Sequence, residues 1–288
     1  MTTLAHLSDL HFGAESPEIV EGLLEDLVSV EPSLVVVSGD LTQRARRKEF
    51  AAARLFLDRI PFPRLVVPGN HDIPLFDLVT RFAWPLARFR RYIDEDVDPL
   101  FSTDAVAVLG MNTARSNTWK NGRVSAAQID GLRRRLGPLP RHVVKVLVTH
   151  HPFLPPPGDP SPPLVGRAAR ALEAAEACGV DLVLAGHLHR GYTGDIRTHH
   201  VDIRRAILVA QAGTATSHRV RNEANSYNVI RLSPQRLGFS LRVWDGEGFH
   251  EARFVEYVKI GSDWRPTLGR DKPPHSEDRE RGGTARSA

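Results

Sequence analysis

Short apolar runs alternate along the first 190 residues with longer segments whose apolar positions recur every three or four residues. The short runs are typical of buried strands and the longer segments of amphipathic helices. Five runs are predicted to be strands, at residues 4–7, 34–37, 65–67, 143–148 and 182–185. This alternation predicts an α/β domain in which helices flank the strands.

Polar residues mark where several of the predicted helices begin. Ser16, Pro17 and Glu18 supply an N-cap, a first-turn proline and a first-turn acid. Ser125 and Gln128 have the spacing of a capping box. The apolar periodicity predicts helices at residues 19–30, 50–60, 129–136 and 164–178.

Beyond Gly191 the pattern changes to short strands separated by turn residues. These strands are predicted around residues 206–210, 227–232, 238–244 and 252–258, and we expect them to form a second, mostly antiparallel sheet. The prediction is a four-layer α/β/β/α sandwich of two mixed β-sheets flanked by helices, spanning residues 1–260. Residues 261–288 have mixed charge and no apolar periodicity, which predicts a disordered polar tail.

The segment at residues 75–100 combines aromatic side chains with arginines. It contains Phe76, Phe82, Trp84, Phe89 and Tyr92 together with Arg81, Arg88, Arg90 and Arg91. One interpretation is a helical insertion whose aromatics pack on the core while its arginines face water. The alternatives are a cap over the functional site and a peripheral contact with a membrane.

Composition narrows the class of protein. The chain has 288 residues, a formal net charge of +4 and a single cysteine, Cys178, so one large domain suffices and an internal disulfide is excluded. The charge suits a small anionic substrate and does not call for nucleic acid. The start of the chain leads directly into a strand, and no apolar run approaches the roughly 20 residues of a membrane span. A cytoplasmic protein is therefore expected.

Metal-binding residue types cluster directly after the five predicted strands. The clusters are Asp9-Leu10-His11, Gly39-Asp40, Gly69-Asn70-His71-Asp72, His150-His151-Pro152 and Gly186-His187-Leu188-His189. Loops at the carboxyl ends of strands in such a sheet converge on one crevice. The five clusters together supply enough ligands for two divalent metal ions, and we predict such a site. Imidazole and carboxylate ligands without thiolate suit Mn, Fe or Zn.

Taken in order, the clusters resemble the signature of the calcineurin-like metallophosphoesterases: D-x-H, G-D, G-N-H-[D/E], H and G-H-x-H. The motifs cover residues 1 to about 190. Residues 39–42, 122–128 and 150–152 are most similar to class III cyclic nucleotide phosphodiesterases and their bacterial relatives. The resemblance implies hydrolysis of a small phosphodiester, with 3′,5′-cyclic nucleotides as the substrate class.

The resemblance also implies roles for individual residues. It places a nucleophilic hydroxide between two ions that are bridged by Asp40. The implied ligands are Asp9, His11 and His189 for the first ion and Asn70, His150 and His187 for the second. His71 resembles the family's non-ligand histidine, which stabilises the transition state or protonates the leaving oxygen.

Two residues that directly follow implied site residues, Asp72 after His71 and His151 after His150, have more than one interpretation. Asp72 either orients the His71 ring as part of the catalytic apparatus or is a turn residue bonded to backbone. In the doublet, His150 falls at the end of its strand and is the predicted ligand, which leaves His151 in a supporting role.

A loop near the end of the predicted α/β part offers candidate substrate contacts. His218 and Arg219 follow Gly213 and a predicted strand, and such a loop can face the metal crevice. We predict that both side chains bind substrate.

Three other functions are compatible with the same clusters. A nucleotide-sugar pyrophosphatase acting on UDP-diacylglucosamine would use the aromatic segment at residues 75–100, and a nuclease would be expected to carry further domains. A scaffold on the same fold has no evident use for a complete ligand set. The sequence gives no indication of the oligomeric state.

Overall fold

Two β-sheets pack face to face in the computed structural model, which describes residues 1–118, 120–155, 164–189, 192–195, 206–218, 223–261, 263–267 and 270–271. The strands are β1 (Thr2–Leu7), β2 (Leu34–Val37), β3 (Arg64–Val66), β4 (Leu100–Ser102), β5 (Val106–Gly110), β6 (Val144–Val148), β7 (Leu182–Ala185), β8 (Tyr192–Asp195), β9 (Leu208–Gln211), β10 (Ser226–Ser233), β11 (Arg236–Trp244), β12 (Phe249–Ile260), β13 (Asp263–Pro266) and β14 (Arg270–Asp271). The helices are α1 (Pro17–Val30), α2 (Arg47–Asp58), α3 (Leu78–Ala83), α4 (Ala87–Tyr92), α5 (Ala126–Leu136) and α6 (Ala168–Ala177).

Both sheets are mixed. The first has the order β13-β12-β11-β10-β1-β2-β3, with β14 also paired to β12. In it β1, β2 and β3 are parallel and the later strands are antiparallel. The second has the order β4-β5-β6-β7-β9-β8, with parallel strands at its centre and antiparallel strands at both edges.

Alternate side chains of the strands supply three apolar cores. On β1, Leu4 packs between the two sheets, whereas Ala5 and Leu7 pack beneath α1 and α2. On the other side, α5 and α6 cover the second sheet through Leu132 and Leu172. Because successive strand residues point to opposite faces, two helical layers enclose two sheets. This confirms the predicted four-layer α/β/β/α sandwich.

The predicted division of strands between the sheets is wrong. The strands beyond residue 225 do not form a separate sheet, because β10 pairs antiparallel with β1, placing Leu4 opposite Ile230. They extend the first sheet, while β9 enters the second sheet beside β7. The apolar pattern shows that each strand is buried, but pairing across more than 200 residues depends on packing that no local pattern records.

Helix boundaries agree closely with the sequence. Ser125 caps α5, with its hydroxyl accepting the Gln128 N–H at 3.1 Å and the Gln128 side chain accepting the Ser125 N–H at 3.0 Å. Ser16 occupies the N-cap position of α1, with Pro17 as the first helical residue. No helix within the described parts of the chain is long and apolar enough to cross a bilayer.

Part of the chain beyond the boundary predicted at residue 261 is described by the structure. Strand β13 pairs with β12 beyond that point, and Trp264 is only 3% exposed within the core between the sheets. The ammonium of Lys259 lies 5.0 Å from the centre of the Trp264 ring. A single buried tryptophan in a short hairpin strand produces no periodic pattern, so apolar periodicity does not predict strand β13. Residues 272–288 of the predicted tail lie outside the described part.

Replacing Trp264 with alanine is expected to lower the free energy of unfolding by about 3 kcal/mol or more, because large-to-small changes of a buried tryptophan leave a cavity. Urea unfolding followed by circular dichroism measures the change. The matched control is Trp84→Ala, since the Trp84 side chain is 65% exposed and its loss should change stability by less than about 0.5 kcal/mol. Equal losses in both variants would contradict the assignment of Trp264 to the core.

The interpretation of residues 75–100 as an insertion with buried aromatics and solvent-facing arginines is partly wrong. Phe89 is fully buried as expected, but Phe76, Phe82 and Trp84 are exposed and Arg81 is buried. The Arg81 guanidinium donates hydrogen bonds to the carbonyls of Pro74 at 3.0 Å and Thr118 at 3.1 Å. These bonds compensate for the burial of the charged side chain, so Arg81 lies inside whereas Phe82 and Trp84 lie outside.

Candidate metal centre

Backbone strain is concentrated at the predicted ligands. Among the described residues, eight that are not glycine have positive φ, and five of them are Asp9, His11, Asp40, His187 and His189, with φ between 50° and 74°. Residues other than glycine rarely adopt this conformation, and strain of this kind collects at functional sites. The loops after β1, β2 and β7 therefore turn sharply where their side chains converge.

Asp9, His11 and His189 form the first group of side chains able to hold a metal ion. Their ligand atoms lie within 4.8 Å of one another, and Asp9 Oδ1 is 3.6 Å from His11 Nε2 and 3.7 Å from His189 Nε2. Asp9 Oδ2 accepts hydrogen bonds from the Ser8 hydroxyl at 2.6 Å and the His187 N–H at 3.0 Å. Asp9 Oδ1 is buried without a hydrogen-bond partner among the described residues. An unpaired buried carboxylate oxygen facing two imidazoles fits a metal ion.

Asp40 lies between this first group and a second group of side chains that contains His150 and Asn70. Its Oδ2 is 3.8 Å from His11 Nε2, and its Oδ1 is 3.3 Å from His150 Nε2. His150 Nε2 is also 3.1 Å from Asn70 Oδ1. The two oxygens of one carboxylate thus face histidines of two different clusters, as a shared ligand requires.

Three histidines of the centre are oriented by hydrogen bonds through Nδ1. The pairs are His150 with the Ser38 carbonyl at 2.8 Å, His11 with the Thr42 carbonyl at 3.4 Å and His189 with the Thr214 hydroxyl at 2.6 Å. A carbonyl accepts only from Nδ1–H, so in the neutral form of His11 and His150 the metal-binding lone pair belongs to Nε2, the nitrogen that faces the carboxylates. Sequence reasoning missed Ser38 and Thr214, although Ser38 directly precedes the Gly39-Asp40 motif.

Charge complementarity governs protonation in the centre. Burial opposes ionisation of Asp9 and Asp40, but the neighbouring histidines outweigh it and hold the pKa of both carboxyls well below the usual range. Burial likewise opposes protonation of His150, yet the adjacent Asp40 carboxylate raises its pKa to about 9. For His187, burial and the charge of His150 lower the pKa to about 4. The centre thus combines ionised carboxylates with imidazoles of unequal basicity.

His151 is held away from the carboxylates. It lies within reach of His150 and His187, but its Nδ1 contacts the Thr113 hydroxyl at 2.8 Å and its Nε2 contacts the Lys120 carbonyl at 2.9 Å. Both ring nitrogens are therefore engaged by protein groups. These contacts agree with a supporting role for His151, and His150 as the ligand of the doublet stays a prediction.

The Asp72 carboxylate is bonded to backbone, as the second interpretation of this residue expects, and a catalytic role for Asp72 stays a prediction. Its carboxylate accepts N–H bonds from Leu41, Thr42 and Gly69 at 2.9 to 3.2 Å, and burial raises its pKa to about 6. The His71 ring is held by the Gln43 carbonyl, 2.7 Å from Nδ1. Asp72 thus ties together the two loops that carry Asp40 and Asn70. A backbone carbonyl as the ring's partner leaves no signal in a sequence.

The predicted substrate contacts are only partly described. The N–H of His218 donates to the Ala14 carbonyl at 3.1 Å, and its side chain is exposed. This loop therefore lies beside the chain that follows His11. Arg219 lies outside the described residues. Substrate binding by His218 and Arg219 stays a prediction.

Comparison with known proteins identifies the family. The family model for calcineurin-like phosphoesterase matches residues 2–191, which is about two thirds of the chain. The chain belongs to the calcineurin-like phosphoesterase family. It is therefore a metal-dependent phosphoesterase, and its His and Asp clusters suit the dinuclear metal centre that the family uses.

Two curated relatives of this calcineurin-like phosphoesterase are named phosphodiesterases. The chain is 37% identical over 81 residues to the glycerophosphodiester phosphodiesterase GpdQ of Enterobacter lignolyticus, covering 24% of this chain and 29% of that protein. It is 23% identical over 212 residues to a probable cyclic nucleotide phosphodiesterase of Synechococcus, covering 66% of this chain and 74% of that protein. The match to GpdQ thus spans less than a third of that protein's length.

A solved structure shares the fold of this phosphoesterase. A dimetal phosphatase from Danio rerio superposes with a TM-score of 0.62 at 14% identity, covering 84% of this chain and 96% of that one. Similarity at this level of identity concerns the fold, and it agrees with two mixed sheets flanked by helices.

Proposed function

We propose that this phosphoesterase hydrolyses phosphodiesters and that 3′,5′-cyclic nucleotides are its substrate class. The observation that carries the proposal is the position of Asp40 between two groups of metal-binding side chains, at 3.3 Å from His150 Nε2 and 3.8 Å from His11 Nε2. The likeness to a probable cyclic nucleotide phosphodiesterase over 66% of the chain supports the choice of substrate.

The proposed ligands of the two ions are Asp9, His11, His189, Asn70, His150 and His187, with Asp40 shared. When bound, two divalent ions supply Lewis acidity, which polarises a phosphoryl oxygen and acidifies a water molecule. The donor set contains imidazole, carboxylate and one amide oxygen, which suits Mn, Fe or Zn. The buried, unpaired Asp9 Oδ1 supports this fit.

His71 is the proposed acid that assists the leaving oxygen. Its Nδ1–H donates to the Gln43 carbonyl at 2.7 Å, so the proton available for transfer is one held at Nε2. Its backbone N–H donates to Asp40 Oδ1 at 2.8 Å, which fixes the loop against the shared carboxylate. In hydrolysis, water attacks phosphorus, the ester P–O bond breaks, and the leaving alkoxide takes the proton from His71.

A substrate panel tests the proposal. The purified protein, assayed separately with Mn, Fe, Zn and Mg, is expected to have a kcat/KM at least about tenfold higher for bis(p-nitrophenyl) phosphate than for p-nitrophenyl phosphate, and for 3′,5′-cyclic AMP than for adenosine 5′-monophosphate. The first pair compares a diester with a monoester at one leaving group, and the second tests whether a positioned acid assists a poor alkoxide leaving group. The His150→Ala variant serves as the background for each substrate. Preference for the monoester would contradict phosphodiester hydrolysis.

Glycerophosphodiesters are a second candidate substrate class. The 37% identity to a glycerophosphodiester phosphodiesterase over 81 residues favours them. Glycerophosphoethanolamine added to the panel separates the two classes. Cleavage of UDP-diacylglucosamine in preference to all other substrates would move the assignment to the pyrophosphatase branch. A cytoplasmic location stays a prediction.

A further inference from the structure

An apolar patch projects from the segment that follows His71. We define the apolar patch as the side chains of Phe76, Leu78, Val79, Phe82 and Trp84, which are 54% to 74% exposed. They make up five of the ten large hydrophobic side chains that are exposed among the described residues. Exposed apolar groups concentrated in nine residues mark a contact surface, whereas single ones scattered over a surface do not.

Contacts made by Arg81 and Asp77 hold the apolar patch in position. Arg81, on the same helix as Phe82, is buried and bound to the carbonyls of Pro74 and Thr118. Asp77 caps that helix by accepting the Thr80 N–H at 3.1 Å, and it also pairs with Arg88 at 2.7 Å. The segment is therefore fixed at both ends with its apolar side chains facing solvent.

A basic run lies beside the apolar patch. Arg88 Nη1 donates to the Ala45 carbonyl at 2.8 Å, which brings the segment against residues 44–48. Within residues 44–48 the exposed cations are Arg44, Arg46, Arg47 and Lys48. The adjacent Glu49 is buried, and its carboxylate accepts the N–H groups of Arg44 and Arg46 at 2.8 and 3.2 Å. The surface of this run is thus dominated by positive charge.

Asp94, an acidic residue that follows α4, lies at the other end of the first sheet. Asp94 borders a cavity with Pro63 and Arg64, at the amino end of β3. The basic run follows the carboxyl end of β2, as does the metal-binding Asp40. The metal-bearing edge therefore carries both the apolar patch and the cations.

We propose that the apolar patch and the basic run together form a docking surface for an anionic lipid bilayer. Aromatic and aliphatic side chains enter the boundary between headgroups and acyl chains, while adjacent arginines and lysines are attracted to anionic headgroups. The apolar side chains are exposed to solvent and the adjacent side chains are cationic, and both properties are complementary to an anionic membrane surface. Docking places the metal centre close to the lipid headgroups, whichever phosphodiester is the substrate.

Co-sedimentation of the full chain with vesicles tests the proposal. The wild-type protein is expected to pellet with phosphatidylcholine–phosphatidylglycerol vesicles and to remain in solution with pure phosphatidylcholine vesicles. Phe82→Ser combined with Trp84→Ser should lower the partition coefficient by about tenfold or more, because two large apolar side chains no longer enter the bilayer. Arg47→Glu combined with Lys48→Glu should lower it by a similar factor, with the difference shrinking as salt rises.

Two control variants make the test specific. Val28→Ser removes an exposed apolar side chain from α1, and Arg133→Glu with Arg134→Glu makes the same net charge change on α5. Both controls should pellet like the wild type. All variants should retain their melting temperature and their hydrolysis of bis(p-nitrophenyl) phosphate in solution, since the altered side chains are exposed.

Failure of the wild type to pellet with anionic vesicles would overturn the proposal. Equal pelleting of the wild type and the Phe82/Trp84 variant would also overturn it. Sedimentation velocity tests for self-association. If the wild type self-associates without binding vesicles, and the Phe82/Trp84 variant stays monomeric, the surface would be assigned to a second copy of the chain.

Discussion

Replacement of Asp40 by asparagine is expected to lower turnover by about 10²- to 10³-fold or more and to reduce the bound metal substantially. The reason is geometric, because the two oxygens of this carboxylate face His150 at 3.3 Å and His11 at 3.8 Å. An amide has a single acceptor oxygen and no charge, so charge compensation weakens at two ions together. Metal analysis of the purified variant and its kcat on bis(p-nitrophenyl) phosphate measure both effects.

Asp130→Asn is the matched control for Asp40→Asn, since Asp130 is exposed on α5 and pairs with Arg133 at the surface. It should retain normal metal content and turnover. Circular dichroism on both variants separates a loss of metal from a loss of fold. Near-normal metal content and turnover in Asp40→Asn would contradict a shared ligand at this position.

Replacement of His71 by alanine is expected to lower turnover by about 10²-fold or more while leaving metal content unchanged, as is typical of a general acid. His71 contacts Asp40 through its backbone N–H, which alanine retains. Its ring is held by the Gln43 carbonyl and has its centre 4.9 Å from that of the His11 ring, beside the metal centre. Measurement of kcat per bound metal isolates the chemical step.

His150→Ala supplies the contrast to His71→Ala. His150 Nε2 lies against Asp40 and Asn70, so its loss should reduce metal content first and activity as a consequence. His142→Ala, an exposed histidine before β6, should change neither property. If His71→Ala lost metal and kept its rate per metal, the roles of His71 and His150 would have to be exchanged.

The sequence by itself determined the α/β class, the strands that carry the site and the residues that meet there. Local patterns sufficed because each predicted ligand lies in a loop that follows an apolar strand, and the carboxyl ends of parallel strands meet at one edge. Capping of α5 by Ser125 was likewise predictable, since Gln128 lies one turn away and the contact is local.

Tertiary structure alone decided the features that depend on distant partners. The pairing of β10 with β1, the burial of Trp264 and the exposure of Phe82 opposite a buried Arg81 arise from contacts that span 37 to more than 200 residues. Within the site, the Gln43 carbonyl is a partner of the His71 ring. Every residue has a backbone carbonyl, so its choice as a partner leaves no trace in residue type and depends on how the loops pack.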